Sequence, residues 1–302
     1  MQRAPRRWRF RRAPDSAAGR PAPVRPIRTP TVSVVIPALN EALNLPHVFE
    51  RMPPVDEVVL VDGGSSDDTV AVARRLRPDV RVVTQNRRGK GNALACGFAA
   101  TTGDIIVMID ADGSTDPAEI PDFVAALCAG AHFAKGSRFT TGGGSGDITR
   151  IRRIGNHALN GLVNVLFGTR YTDLCYGYNA FWADCLRVFA LDSTTPARPD
   201  GRKLWGDGFE IETVLNLHVA RAGLTVSEVA SFEHARIHGT TNLSTVRDGL
   251  RVLATIAREW PRRHDGTALD VTRGAGLPAR FGGGEHDRVE RLVGLGGEAV
   301  RK

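Results

Sequence analysis

Short runs of β-branched apolar residues alternate with helix-forming segments through the first half of this chain. The apolar runs lie at Val32–Ile36, Val58–Val61, Val80–Val83 and Ile105–Ile109, and each ends in polar residues or glycine. Helical patterns lie between and after them, at Glu41–Arg51, Asp67–Arg77, Lys90–Thr101 and Pro117–Cys128. Strands connected by helices of this length form a mostly parallel sheet with right-handed crossovers. The sequence therefore predicts an α/β fold.

Charge and glycine content divide the chain into three parts. Residues 1–30 hold nine arginines and one acid, a charge of +8, so the other 272 of the 302 residues sum to −1 of the total +7. The high isoelectric point thus describes an arm, and nucleic acid is not an expected partner. Residues 261–302 contain nine glycines without a period. We expect a disordered Arg/Pro-rich arm at 1–30, a single folded domain at 31–260 and a Gly-rich, disordered tail at 261–302.

Several classes of protein are disfavoured. No apolar stretch approaches the ~20 residues of a membrane-spanning helix, and the N-terminus lacks the apolar centre of a signal peptide, so we expect a cytoplasmic protein. The four cysteines form no CxxC pair, which favours free thiols over a zinc site. Trp8 and Phe10 lie among the arginines of the arm. Either the arm adheres to anionic lipid on the inner face of the cell membrane, or it is a solvated extension.

Polar clusters follow three of the predicted strands, where the ligands of a parallel sheet bind. Asp110 and Asp112, one residue apart, offer the hard oxygen ligands that Mg²⁺ and Mn²⁺ prefer together with substrate phosphates, although an acidic turn has the same composition. Asp62 is suited to a ribose or a base, or else to a turn. Lys90 begins a helix between two glycines, either as a phosphate ligand or as a solvated side chain.

The order of these motifs resembles that of glycosyltransferase family 2, whose members have the GT-A fold. The resemblance extends through Gly136–Phe139, Arg152, Asn156, Asp173–Gly177 and Arg236–Thr240, and these later motifs are most similar to polyprenyl-phosphate sugar synthases of the dolichol-phosphate mannose synthase type. It covers roughly residues 31–258. It implies one Rossmann-like domain with three layers, α/β/α.

The resemblance also implies roles for individual residues. A nucleotide diphosphate sugar would be bound by Pro37, Asn40, Glu41, Asp62, Lys90, Asp110, Ala111 and Asp112. Asp110 and Asp112 would hold Mg²⁺ or Mn²⁺. The acceptor phosphate would be bound by Arg138, Arg152, Asn156 and Arg236, which agrees with the bidentate fit of guanidinium to phosphate. The chain departs from the family at Gly63, where a second aspartate is frequent.

Three functions remain open. The favoured one is metal-dependent, inverting transfer of a hexose from a nucleotide diphosphate sugar to a polyprenyl phosphate, with Asp112 and Arg138 in catalytic roles. In the second, the acceptor is a hydroxyl group, which requires a carboxylate base, and Asp207 is the candidate. In the third, the protein binds a nucleotide without catalysis. Residues 142–146 are either a loop that closes over substrates or a flexible connector.

Overall fold

A seven-stranded sheet forms the centre of the structure, a computed structural model that describes residues 29–240 and 245–264. The predicted arm and tail therefore lie almost wholly outside the described residues. The strands are β1 (Val32–Ala38), β2 (Glu57–Asp62), β3 (Arg81–Thr84), β4 (Ile105–Met108), β5 (Phe133–Ser137), β6 (Gly144–Ser145), β7 (Asn179–Trp182), β8 (Val226–Ala230) and β9 (Phe232–Glu233). In the large sheet their order is β3-β2-β1-β4-β7-β5-β8, and β7 alone runs opposite to its neighbours.

Eight α-helices connect these strands within the described residues. They are α1 (Leu45–Glu50), α2 (Thr69–Leu76), α3 (Lys90–Ala100), α4 (Ile120–Cys128), α5 (Arg150–Phe167), α6 (Leu186–Phe189), α7 (Ile211–Arg221) and α8 (Thr245–Glu259). Short 3₁₀ helices lie at Pro117–Glu119, Ala183–Cys185 and Trp260–His264. The four predicted strands and four predicted helices are all present. Helix α1 starts later than its pattern predicted, because Pro46, which lacks an N–H, occupies the first turn.

Both faces of the sheet are covered. Val34, Val35 and Ile36 are successive residues of β1 and all three are fully buried, as in parallel sheets that have helices on each side. Helix α3 packs on β1, β2 and β3, and α4 packs on β5, β7 and β8. At Gly97 of α3 a Cβ atom would lie 2.5 Å from the Val35 side chain, so this close approach requires glycine. The predicted α/β fold with a mostly parallel sheet is confirmed.

The topology brings several loops to one edge of the sheet. The strand order reverses between β1 and β4, which makes this edge the switch point at which α/β sheets bind ligands. Strand β7 begins where β4 and β5 end, since Asn179 pairs with both Met108 and Lys135. Residues 173–178, which precede β7, therefore reach the same edge as the loops that follow β4 and β5.

Helices α5, α7 and α8 form a second apolar cluster beside this edge. Its buried members are Val163, Tyr171, Leu174, Leu217, Val252 and Ile256. The glycine-rich residues 142–146, which composition predicted to be a loop, contain β6, and β6 pairs with β9 in a small parallel sheet. No helix of the described residues is long and apolar enough to cross a bilayer.

Candidate functional site

A cavity of about 240 Å³ opens at this edge of the sheet. All the side chains that the sequence assigned to the cation and to the acceptor line it: Asp110, Asp112, Arg138, Arg152, Asn156 and Arg236. Lys90, which was assigned to the nucleotide sugar, lines it too. The rest of its wall includes Glu212, Glu233 and apolar side chains of α5 and α8. The topology therefore brings together residues that lie up to 162 positions apart in the sequence, from Lys90 to Val252.

The two aspartates that follow β4 each contact a cation. Asp110 Oδ1 lies 2.6 Å from Lys90 Nζ, which also lies 2.8 Å from Glu212 Oε1. Burial alone would lower the pKa of Lys90, but the two carboxylates outweigh it and raise that pKa above its ordinary value. Asp112 Oδ2 accepts a hydrogen bond of 3.2 Å from Arg236, and Asp112 Oδ1 accepts from the Ser114 hydroxyl at 2.6 Å. Lys90 is therefore a buried ammonium between two acids, not a solvated side chain.

The amide groups near Lys90 do not face the cavity. The Gly91 N–H donates to the Asp207 carbonyl at 2.9 Å. A Cβ atom on Gly91 would lie 1.7 Å from the Gly206 carbonyl oxygen. The start of α3, which the sequence proposed as a phosphate site, is thus covered by the backbone of residues 206–207. Only the Lys90 side chain reaches the cavity.

The predicted nucleotide ligands after β1 and β2 lie outside the cavity lining. Asp62 accepts hydrogen bonds from the Gly64 and Ser65 N–H groups, at 3.2 and 3.1 Å, as in a turn. Asn40, in the left-handed region with φ of 59°, accepts from the Ser66 N–H at 2.8 Å. Pro37 is the second-last residue of β1, and Ala111 is buried between the two aspartates.

One segment joins the β1 and β4 sides of the switch point. We call residues 234–239 the crossing segment. Its Arg236 binds both oxygens of Glu41, at 2.6 and 2.7 Å, in addition to Asp112. The Ile237 N–H donates to the Asp112 carbonyl at 3.3 Å, and the His238 N–H donates to Asn44 Oδ1 at 2.9 Å. Glu41 and Arg236 are thereby linked, although the sequence assigned one to the donor and the other to the acceptor.

Arg138 is held by two carboxylates. Its Nε and Nη2 atoms donate to Asp173, at 2.7 and 2.9 Å, and its Nη1 atom lies 3.0 Å from both oxygens of Glu233. Burial opposes the charged form, but Asp173 and Glu233 outweigh burial and raise the pKa of Arg138. Asn156 donates to Asp173 Oδ1 at 3.0 Å, while its own buried Oδ1 has no hydrogen-bond partner among the described residues.

Arg152 is the most accessible cation of the cavity. It lies in the first turn of α5, after the cap formed by Thr149, and its Nη1 atom is 3.1 Å from the half-exposed Asp147. The exposed Asp147 is a weak partner compared with the buried acids that hold Lys90 and Arg138, because exposed ion pairs contribute little. Arg152 is therefore the guanidinium that an incoming anion meets with least competition.

The structure does not bring Asp207 into the cavity. Its carboxylate is buried and accepts from Arg87 Nε and Nη2, both at 2.9 Å, and from the Leu204 N–H at 3.0 Å. Arg87 also donates to the carbonyl groups of Asp192 and Thr195. Through these contacts and its ion pair with Asp207, Arg87 holds the loop of residues 190–207 against the segment that precedes α3. Such a paired, enclosed carboxylate is poorly placed to remove a proton from a substrate. Glu212, five residues further along the chain, lines the cavity instead.

The sequence analysis assigned no role to three acids of this site: Asp173, which it named only within a motif, Glu233 and Glu212. Asp173 and Glu233 lie 35 and 95 residues from Arg138, so no local spacing links them to it. Glu212 belongs to an acidic first helical turn, a pattern that is common without chemistry. The pKa of Glu212 is raised because its burial outweighs the attraction of Lys90.

The charges of the cavity favour a divalent cation. Acidic side chains exceed basic ones by two in the lining: Asp110, Asp112, Asp147, Glu212, Glu233 and Asp248 against Lys90, Arg138, Arg152 and Arg236. No group of three His, Cys, Asp or Glu side chains suited to a metal occurs in the described part of the chain. Mg²⁺ binds through one or two carboxylates while retaining waters and substrate phosphates. Asp110 and Asp112, with the Ser114 hydroxyl adjacent, fit that requirement.

Comparison with known proteins decides the family. Residues 33–189 match the model of glycosyl transferase family 2. The chain belongs to glycosyltransferase family 2. The predicted family and the predicted transferase activity are therefore confirmed.

Two relatives of this family 2 glycosyltransferase match different shares of the chain. It is 35% identical to a polyprenol monophosphomannose synthase of Mycolicibacterium smegmatis over 268 residues, 84% of this chain and 94% of that protein. It is 42% identical over 107 residues to an uncharacterized glycosyltransferase of Mycobacterium tuberculosis, which is 35% of this chain and about half, 48%, of that protein. The similarity to polyprenyl-phosphate sugar synthases is thus confirmed.

A solved structure adds a second kind of relative. It is the glucosyl-3-phosphoglycerate synthase of Mycobacterium tuberculosis in complex with Mn²⁺, uridine diphosphate and glucosyl-3-phosphoglycerate. Its TM-score is 0.56 at 26% identity, with 77% of this chain and 80% of that chain covered. The GT-A-type fold of the chain is consistent with this superposition.

Proposed function

We propose that this family 2 glycosyltransferase transfers a hexose from a nucleotide diphosphate sugar to a polyprenyl phosphate, with inversion at the anomeric carbon. The observation that carries the proposal is the make-up of one cavity. It is lined by a carboxylate pair for a divalent cation, by arginines for a phosphate, and by apolar side chains of α5 and α8, including Ile151 and Val252, for a lipid chain.

The donor side rests on Asp110, Asp112 and Lys90. Asp110 and Asp112 would hold Mg²⁺ or Mn²⁺, which would supply positive charge to neutralise the leaving diphosphate. The Lys90 ammonium lies against Asp110, where it adds a second positive charge close to the same phosphates. Pro37, Asn40, Glu41, Asp62 and Ala111 remain the proposed contacts of the nucleotide. A solved relative of similar fold, described in complex with Mn²⁺ and uridine diphosphate, supports a nucleotide donor bound together with a divalent cation.

The acceptor side rests on Arg138, Arg152 and Asn156. A phosphate monoester is ionised at neutral pH and requires no base, which agrees with the absence of Asp207 from the cavity lining. A phosphate oxygen would form a bond to the anomeric carbon while the bond from that carbon to the nucleoside diphosphate breaks on the opposite face. Positioning and charge complementarity supply the catalysis. Asn156 Oδ1, an acceptor without a partner, suits a sugar hydroxyl better than a phosphate oxygen.

A hydroxyl acceptor is the second candidate. The observation that favours it is Glu212, a carboxylate in the cavity lining, together with the solved relative that is named for 3-phosphoglycerate. For this reaction the base would be Glu212 and not Asp207, because Arg87 occupies both oxygens of Asp207.

A two-acceptor assay distinguishes these reactions. Purified protein would receive radiolabelled hexoses as their UDP, GDP or dTDP derivatives, with either a polyprenyl phosphate or 3-phosphoglycerate, and with Mn²⁺ or EDTA. The proposal expects label in the organic phase only with the polyprenyl phosphate and only with Mn²⁺. Label that remains in water-soluble product with 3-phosphoglycerate would establish the second candidate, and no transfer from any donor would reject both.

We also propose that the enzyme acts at the inner face of the cell membrane, where a polyprenyl phosphate is embedded. The arm that the sequence suggested as the lipid contact lies outside the described residues. The surface of the described domain provides a separate basis for membrane contact, which follows from helices α5 and α8.

A further inference from the structure

Exposed apolar side chains are concentrated on α5 and α8. Among the described residues, thirteen large apolar side chains are exposed, and six of them belong to these two helices: Ile151, Ile154, Leu162, Val165, Leu250 and Leu253. A seventh, Trp260, follows α8 directly. Scattered exposed apolar residues are ordinary on a monomeric protein, whereas a contiguous group marks an interaction surface.

The exposed residues of α5 share one face of the helix. Positions 151, 154, 158, 162 and 165 recur at intervals of three and four, and Ile151 and Val165 are 75% and 84% exposed. The opposite face of α5 is the one that packs on the protein, through Asn156, Asn160 and Val163. The face of α5 that packs on the protein is therefore already buried. Its second face is apolar too, but no contact within the described domain explains why.

The exposed charges on these helices are all positive. Arg150 and Arg153 on α5, with Arg247 and Arg258 on α8, are exposed. Both acids of α8, Asp248 and Glu259, are buried. No acid of α5 or α8 itself is exposed in the described residues, although Asp147, which precedes α5, is exposed and pairs with Arg152. An apolar face on helices whose exposed charges are arginines complements an anionic lipid surface, in which apolar side chains enter the acyl region and guanidinium groups meet lipid phosphates.

This surface borders the cavity. Ile151, which is 75% exposed, also lines the cavity, as do Leu159 of α5 and Val252 of α8. We infer that the exposed faces of α5 and α8 form a docking surface for an anionic bilayer, with the cavity mouth at the lipid. The inference rests on the proposed function, because a polyprenyl phosphate reaches such a mouth with its chain still in the bilayer.

Vesicle sedimentation tests the docking surface. Full-length protein would be mixed with vesicles of neutral phospholipid alone or with about 30% anionic phospholipid. The variant I154S/V165S removes apolar area from the face of α5, whereas L43S/L76S removes similar area from exposed positions elsewhere. We expect wild type and L43S/L76S to sediment with anionic vesicles, and I154S/V165S to lose at least about tenfold in partition. Circular dichroism would check that all variants fold.

Other occupants of the face give different results. If I154S/V165S converts a dimer to a monomer in sedimentation equilibrium and leaves vesicle binding intact, the face joins two copies of the chain and the inference is wrong. It is also wrong if replacing the five arginines between positions 6 and 12 by glutamine abolishes vesicle binding while I154S/V165S does not. Transfer to a short, water-soluble prenyl phosphate without vesicles separates the two proposals: I154S/V165S should retain it, and its failure in wild type would reject the acceptor class instead.

A second inference comes from the ion pairs of Arg138. Asp173 and Glu233 together engage all three nitrogens of its guanidinium, so a substrate phosphate binds Arg138 bidentately only when one carboxylate leaves. Asp173 is fully buried and also accepts from the Arg138 backbone N–H at 3.1 Å and from Asn156. Glu233 lies on the two-residue strand β9, lines the cavity and is additionally held by the Ser145 hydroxyl. Glu233 is therefore the carboxylate that can be exchanged.

We infer that Glu233 occupies the place of the acceptor phosphate and sets the affinity for the acceptor. The inference depends on the proposed phosphate acceptor. Glu233 binds Nη1 of the guanidinium, which a bidentate phosphate would also use, so the carboxylate and the phosphate compete for Arg138. Glu233 is a positioning residue in this account, since it acts through Arg138.

The substitution Glu233→Gln tests this role, because it keeps the size of the side chain and removes its charge. We expect the KM for the acceptor to fall about fivefold or more, with the donor KM unchanged, and Glu233→Asp to restore the wild-type value. Titration of a water-soluble prenyl phosphate, followed by intrinsic fluorescence, should show the same gain in affinity without turnover. An acceptor KM that rises or stays constant in Glu233→Gln would overturn the inference, whereas wild type that binds no prenyl phosphate would overturn the proposed acceptor.

Discussion

Each member of the carboxylate pair after β4 has a cation of its own, Lys90 for Asp110 and Arg236 for Asp112. The pair is therefore held in place by side chains from α3 and from the crossing segment. Removing one carboxylate takes away an oxygen ligand and leaves a buried cation with fewer partners. Both effects act on the donor diphosphate.

Asp112→Asn should lower kcat/KM at least about a hundredfold, which is the range for loss of one preorganised electrostatic contact. The measurement is initial rate at saturating Mn²⁺, with Mn²⁺ binding followed by electron paramagnetic resonance. Asp122→Asn, at an exposed position of α4, is the matched control and should behave as wild type. Full activity in Asp112→Asn would remove Asp112 from the site.

Asp207→Asn tests the role that the structure gives to this carboxylate. Because the substitution leaves Arg87 without its buried partner, the free energy of unfolding should fall by about 3 to 5 kcal/mol. Turnover per folded molecule should stay within a few-fold of wild type. Urea denaturation and active-site titration measure the two quantities. Loss of turnover with unchanged stability would restore Asp207 as a base.

At the scale of elements, the position of the start of α3 depends on the close approach of the Gly91 backbone to the backbone of residues 206–207. Gly91→Ala should prevent the contact with Gly206 and displace Lys90, so we expect a loss of several degrees in Tm and strongly reduced activity. Gly161→Ala on α5, where an added Cβ meets open space, should instead stabilise by up to about 1 kcal/mol. Thermal unfolding by circular dichroism compares the two. Equal effects would contradict the proposed contact.

The elements differ in how much their own residues reveal. Strands β1 to β4 are runs of β-branched residues and were predictable, and their polar ends predicted where the carboxylate pair lies. Strand β5 contains Lys135 and Gly136, both unusual in a buried strand, and its fully buried lysine gives no apolar pattern. The partners of Arg138 depend on β7 and β9 reaching the same edge. Such contacts are set by topology, so no local signal predicts them.

At the scale of the whole molecule, the cavity has an excess of two negative charges, so a nucleotide diphosphate should bind poorly without a divalent cation. We expect Mn²⁺ with UDP or GDP to raise Tm, and neither alone to do so fully. At a hundredfold excess over Kd the gain is about 2.7 kcal/mol, or roughly 5 to 10 °C for a domain of this size. Scanning fluorimetry with EDTA and with Asp112→Asn provides the controls. An equal shift by nucleotide in EDTA would contradict the account.

Only two residues separate Glu233 from Arg236. Glu233 binds Arg138, whereas Arg236 binds Glu41 and Asp112. If an acceptor displaces Glu233, we expect the short peptide between the two residues to shift Arg236, which binds both Glu41 and Asp112. Occupancy of the proposed acceptor site should then change affinity at the proposed donor site. Thermodynamic linkage makes the factor identical in both directions, so a single coupling free energy, measured by titrating each substrate in the presence and absence of the other, describes how donor and acceptor affect each other's binding.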